Sequence, residues 1–143
     1  RRLNPDKQFI LNIDQAGALL AMEQQDLEEV VGNLLENAAR FAQTRVVITL
    51  GAGTHPSSDA EIARRAWVEL TVEDDGPGLE PEQISEAMKR GRRLDESRPG
   101  TGLGLSIVSE VVSEYHGRFS LSRSNIGGLK ADLILPGLSK ELA

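Results

Sequence analysis

The chain has 143 residues, 39% hydrophobic and 27% charged, the balance of one globular domain rather than a disordered tail or two full domains. Its 16 Lys+Arg against 22 Asp+Glu leave a net charge of −6, which argues against a general nucleic-acid or anionic-membrane binder. The absence of cysteine excludes disulfide frameworks, thiol catalysis and Cys-ligated metals, and the two histidines, His55 and His116, are too few for a multi-His site.

The predicted elements run as follows. Lys7 to Ile13 alternates Phe9, Leu11 and Ile13 and reads as a strand. Asp26 to Ala42 reads as a helix, with Leu27, Val30, Val31, Leu34, Leu35, Ala38 and Phe41 forming one apolar face. Arg45 to Leu50 is a short β-branched strand, and Gly51 to Arg65 is a polar loop with one helical turn. Trp67 to Val72 alternates again and should pair with the strand before that loop. Pro81 to Lys89 forms a short helix with proline at its first position, followed by a charged, glycine-punctuated loop from Arg90 to Gly104. Leu103 to His116 is a second strong helix stopped by Gly117. Arg118 to Ser124 and Leu129 to Leu135 are strands joined by a hairpin through Gly127 and Gly128. This order fits an α/β two-layer sandwich, one mixed sheet of about five strands with about three helices packed on one face.

Four local features carry possible chemistry, and each has a plain alternative. Lys89 to Arg98 sums to +3 and the remaining chain to −9; the island either meets a small anion or is a solvated loop. Glu29, Asn33, Asn37 and Arg40 share one face of the first long helix, and two mid-helix asparagines cost stability that alanine would not. Amide oxygens there can ligate a hard cation such as Mg²⁺, while the other reading is a polar face pairing Glu36 with Arg40. Asp74-Asp75-Gly76-Pro77-Gly78 follows a strand, where a carboxylate can accept from an exocyclic amine, or the segment is simply a turn. Gly100-Thr101-Gly102-Leu103-Gly104-Leu105 leads into a helix N-terminus, either a phosphate site or a hinge. Its spacing is not the dinucleotide fingerprint, and no P-loop lysine motif occurs.

Taken together and in this order, NLLENA (33–38), VEDDGPGL (72–79), PGTGLGLSIV (99–108) and EYHG (114–117) resemble the ATP-binding catalytic domain of sensor histidine kinases. That family shares a superfamily with gyrase, mismatch-repair and heat-shock chaperone ATPases. The resemblance implies ATP and Mg²⁺ as cofactors, with Asn37 as metal ligand and Asn33 in support. It implies that Arg40 faces the phosphates, that Asp74 hydrogen-bonds adenine, and that Gly76 and Gly78 shape the adenine site. Residues 80–99 would form a mobile ATP lid in which Arg93 and Arg98 meet the triphosphate. Gly100, Thr101, Gly102, Leu103, Gly104 and Leu105 would hold the end of that lid against the phosphates. No residue is assigned a bond-making role; Asn33, Arg93 and Arg98 are the candidate phosphate-positioning groups, and His116 is read as structural.

Two departures stand out. Ile84 to Met88 has no aromatic where the family's lid usually has phenylalanine, and Leu129 follows Gly128 where threonine is common. In the gyrase-like ATPases a glutamate four residues before the metal-binding asparagine activates water; here that position is Asn33. An amide is no general base, which favours transfer to an external acceptor. The resemblance places that acceptor histidine on a separate dimerisation domain, because no His-Glu acceptor box occurs here. The chain opens on Arg1 rather than Met and reads as a piece of a longer protein, with 1–6 as the end of a linker and 1–143 as a single ATP-binding domain. The implied setting is a cytoplasmic, monomeric fragment of an inner-membrane sensor that signals to a response regulator and binds no nucleic acid. Two other readings share the same boxes, a non-catalytic nucleotide-sensing regulatory module and an anti-sigma-factor-type serine kinase.

Overall fold

The computed structural model describes residues 8–13, 20–91 and 103–138. Strands β1 (Gln8–Ile13), β2 (Arg45–Gly53), β3 (Trp67–Asp74), β4 (Arg118–Arg123) and β5 (Leu129–Pro136) form one sheet in the order β1-β2-β3-β5-β4. β1 runs parallel to β2, and every other neighbouring pair is antiparallel. This is the mixed five-stranded sheet expected from the sequence.

Alternation gives that sheet its buried face. Along β5, Leu129, Ala131, Leu133 and Leu135 are buried while the residues between them are half-exposed. The register sets Val68, Leu70 and Val72 of β3 beside Leu135, Leu133 and Ala131. Ile48 and Leu50 of β2 extend the same apolar surface beside Val72 and Leu70. Period-two side-chain placement makes this one continuous face.

Three long helices cover it. Helix α1 (Gln24–Phe41) buries Val30, Leu34 and Ala38, and α4 (Leu103–Glu114) buries Leu105, Val108, Val111 and Val112. Helix α3 (Pro81–Gly91) packs on α4 and β4, with Ile84 against the core. It opens with Pro81 at its first position, and the Gln83 side chain accepts from the Glu80 amide at 2.8 Å, closing the first turn. The fourth described helix is the single turn expected in the β2–β3 connection, α2 (Ala60–Arg64), capped by Asp59 through the Glu61 and Ile62 amides. It sits beside Trp67, whose indole N–H donates to the Ile62 carbonyl at 2.8 Å. Trp67 alternates with core-facing Val68, so this turn covers one end of the opposite sheet face. His55 tilts against Trp67 with centroids 4.5 Å apart. Its Nδ1 accepts from Ser57 N–H, so its Nε2–H is the donor to the His116 carbonyl at 2.9 Å.

Some boundaries differ from the sequence reading for physical reasons. α1 begins at Gln24 although its N-cap, Glu23, makes no side-chain cap. The Tyr115 hydroxyl supplies one, accepting from Glu23 N–H at 3.2 Å and donating to Asp26 Oδ2 at 2.5 Å. Donation to the Asp26 carboxylate holds the Tyr115 phenol above its ordinary range. Phe41, read as part of the apolar face, is 44% exposed because the core stripe ends at Ala38 and Ala42. The left-handed residue after α4 is His116 (φ 62) rather than Gly117. Gly117 is needed for close approach instead, since a Cβ there would overlap the Ile134 carbonyl oxygen.

Candidate functional site

The segment after β3 is assembled around two adjacent carboxylates with different tasks. Asp74 is 2% exposed, and its Oδ1 accepts from Gly76 N–H at 2.9 Å and Leu129 N–H at 3.4 Å. The Asp74 carbonyl accepts from Gly128 N–H at 3.0 Å. Gly128 lies so close that a Cβ on it would overlap both the carboxylate and the main chain of Asp74. Gly76 presses as tightly on the Phe41 carbonyl, and Gly78 (φ 71) lies over the Gly127 and Gly128 carbonyls. Three glycines thus let the β3 loop, the end of α1 and the β4–β5 hairpin meet backbone to backbone.

Asp75 was not among the sequence candidates. Its carboxylate accepts from the Gln43, Thr44 and Arg45 amides at 2.9, 3.0 and 3.0 Å, and from the Thr44 hydroxyl at 2.6 Å. Burial works against the charge, but the Thr44 hydroxyl and these amides outweigh it and hold the carboxyl well below the usual carboxylate range. Asp75 therefore pins the α1–β2 turn beneath Asp74. The only sequence signal was the doubled aspartate itself; its partners lie about thirty residues upstream.

α1 brings its polar stripe to the same place. Asn33, Asn37 and Phe41 recur every four residues, and the Phe41 carbonyl touches the Gly76 position, so Asn37 is one turn from the Asp74 loop. Asn33 turns its amide N–H back to the Glu29 carbonyl at 2.7 Å. The Asn37 amide makes no side-chain hydrogen bond among the described residues. Arg40 is exposed in the last turn of α1.

The Tyr115 contact with Asp26 fixes how α4 lies on α1: the end of α4 meets the start of α1. Tyr115 is about 18 Å along a helix from Leu103, and Asp26 about 16 Å from Asn37, at 1.5 Å per residue. The N-terminus of α4, the positive end of its dipole, therefore points toward the level of Asn37. Leu103 and Gly104 open that helix, and Leu105 is buried in the core. Arg93, Arg98, Gly100, Thr101 and Gly102 lie outside the described residues, as do the 1–6 linker and the 92–99 portion of the expected lid. Its 80–91 portion is α3 together with Glu80.

No group of three or more His, Asp or Glu side chains gathers to hold a metal among the described residues. A divalent ion here would take most of its oxygens from phosphate and water, as Mg²⁺ does, and the single amide of Asn37 fits that requirement.

The fold is a two-layer α/β sandwich, and the candidate site lies at one end of its sheet, between glycine-rich turns and a polar helix stripe. More particularly, the pattern of the histidine kinase-, DNA gyrase B- and HSP90-like ATPase family matches residues 22–138, and the chain belongs to that family. It is 39% identical over 120 residues to the sensor protein kinase CarS of Pseudomonas aeruginosa, covering 84% of this chain and 24% of that protein. It is 34% identical over 115 residues to the sensor protein PhoQ of Escherichia coli (strain K12), covering 78% and 21% respectively. The chain thus spans about a quarter of the length of these relatives. Among solved structures, a mycobacterial sensor histidine kinase, MprB, matches with a TM-score of 0.66 at 26% identity, over 92% of this chain and 83% of that one. The ATP binding domain of PrrB from Mycobacterium tuberculosis shares the fold, with a TM-score of 0.66 at 22% identity over 95% and 84%.

Proposed function

We propose that this chain binds ATP with Mg²⁺ and donates the γ-phosphoryl group to a histidine on a separate dimerisation domain of a two-component sensor kinase. The observation that carries this reading is the convergence of three parts: Asp74 in its glycine cradle, the Asn33–Asn37 stripe, and the start of α4. The names of its relatives, a sensor protein kinase and a sensor histidine kinase, agree with it.

In this reading the Asp74 carboxylate accepts from the adenine amine, and Gly76 and Gly78 let the base approach the backbone. The Asn37 amide oxygen ligates Mg²⁺, Asn33 supports it from one turn earlier, and Arg40 offsets phosphate charge. Bound Mg²⁺ supplies charge neutralisation at the phosphates. Arg93 and Arg98, in an 80–99 lid, and the 100–105 entry to α4 complete the triphosphate grip. The chain's task is positioning and electrostatic stabilisation, as phosphoryl transfer demands. Asn33 stands where a water-activating glutamate would be needed, so transfer to an external acceptor is favoured over hydrolysis. The remaining parts of the proposal are a single domain over 1–143, a linker end at 1–6, a monomeric fragment and a response regulator downstream. The parent protein would be an inner-membrane sensor with this domain in the cytoplasm; among the described residues no helix is long and apolar enough to cross a membrane.

Labelled ATP tests it. The chain alone should stay unlabelled, and a histidine-bearing dimerisation domain added in trans should gain acid-labile label. Acid-labile label on the chain alone would refute the external acceptor. Nucleotide binding without transfer would favour a non-catalytic sensor, and acid-stable label on an acceptor serine would favour an anti-sigma-factor-type kinase.

A further inference from the structure

The β4–β5 hairpin meets Asp74 through Gly128 and Leu129. Its approach is all backbone: Gly128 N–H donates to the Asp74 carbonyl at 3.0 Å, and Leu129 N–H to Asp74 Oδ1 at 3.4 Å. Gly76 N–H fixes the same oxygen from the other side at 2.9 Å. The hairpin itself is braced, because Ser124 N–H donates to the Gly128 carbonyl at 2.7 Å and Ser124 Oγ donates to Glu73 Oε1 at 2.7 Å. A Cβ on Gly128 would overlap Asp74 Oδ1, the Asp74 carbonyl oxygen and the Gly76 nitrogen together. Only one of those three atoms, the carboxylate oxygen, belongs to a side chain that can rotate away.

We infer that Gly128 is a specificity-determining positioning residue: by backing the Asp74 carboxylate from a hairpin 54 residues away, it fixes the acceptor that separates 6-amino purines from 6-oxo purines. This rests on the proposed binding of adenine at Asp74. A carboxylate held at one oxygen by two amides has a single orientation to offer. A donor amine is matched by it, and a 6-oxo group, itself an acceptor, is rejected by it. Once freed, the carboxylate rotates and accepts less selectively. In the proposed reading the Mg²⁺ ligand Asn37 and the phosphate-facing Arg40 belong to α1, away from Gly128.

The test is the ratio of ITP to ATP dissociation constants, measured by calorimetry with Mg²⁺ for the whole chain, Gly128→Ala and Gly127→Ala. Gly127→Ala is the control for hairpin strain, since Gly127 has φ 115 and its nearest neighbour to an added Cβ is 3.9 Å away. The wild type should favour ATP by about ten-fold or more, the scale of a hydrogen bond to a buried charge. Gly128→Ala should bring the ratio within about two-fold while Gly127→Ala keeps it. A merely structural role would weaken both nucleotides equally and leave the ratio unchanged. If Gly128→Ala does not fold, the wild-type amide resonances of Gly76, Gly128 and Leu129 decide: they should shift with ADP and stay near their free positions with IDP. An unchanged ratio in folded Gly128→Ala, or equal shifts with both nucleotides, overturns the inference. A wild type that does not distinguish ATP from ITP overturns the adenine reading beneath it.

Discussion

Replacing Asp75 by alanine should destabilise the fold more than its half-exposed position suggests. The carboxylate accepts four hydrogen bonds, from the Gln43, Thr44 and Arg45 amides and the Thr44 hydroxyl. Hydrogen bonds to a charged acceptor contribute about 1.5–3 kcal/mol each when fully desolvated. Gln43 and Thr44 are exposed, so water replaces much of what they lose, and Arg45 is the half-buried donor that pays most. The expected net cost is therefore about 2 kcal/mol, or about 6 °C in melting temperature for a domain of this size. Urea denaturation and calorimetric melting of wild type and Asp75→Ala at pH 7 measure it. The pH dependence has a definite sign. The folded carboxyl titrates below its ordinary value of 3.8, so its stabilisation is complete above about pH 4 and is lost as pH falls toward the folded value. The gap between wild type and variant should be constant from about pH 5 to about pH 8 and should narrow below about pH 4. A gap under about 0.5 kcal/mol at pH 7, or one that widens in acid, would refute this account of the turn.

Three further outcomes are expected. Asn37→Ala should keep the fold, because alanine is the better helix former, and should abolish the Mg²⁺-dependent part of ATP binding in calorimetry with and without the metal. Leu34→Ala removes a side chain that is 2% exposed at the centre of α1 and should cost about 3 kcal/mol by denaturant titration. Tyr115→Phe deletes the hydroxyl that bridges Glu23 N–H and Asp26, so hydrogen exchange should accelerate in the first turn of α1 while the amides around Leu34 stay protected.

Local periodicity was enough to read the strands and the long helices, because alternation in β5 and the three- and four-residue recurrence of Val30, Leu34 and Ala38 are properties of single segments. The motifs of the candidate site, and with them the family, were legible for a related reason: each is a short run whose residue types are unusual for the element that carries them. What stayed hidden depends on distant partners. Nothing near Glu23 announces that a tyrosine 92 residues later starts its helix, and nothing near Asp75 points to the amides of 43–45. Gly128 looked like ordinary hairpin chemistry, and only the contact with Asp74 reveals why a side chain there has no room. Phe41 continued an apolar rhythm on paper, yet the buried stripe runs through Ala38 and Ala42 and leaves it exposed.

β3 has an optical consequence. Its first residue, Trp67, is the only tryptophan, and its last, Asp74, is in the site, so about 23 Å of strand separates them at 3.3 Å per residue. Intrinsic emission from this protein therefore watches the His55 contact and the α2 turn at the far end of the sheet. Contact with a nucleotide would leave that signal untouched, and a fluorescent nucleotide is the proper reporter of occupancy. A shift in tryptophan emission on adding ATP would carry different information: that occupancy strains the strand along its whole length.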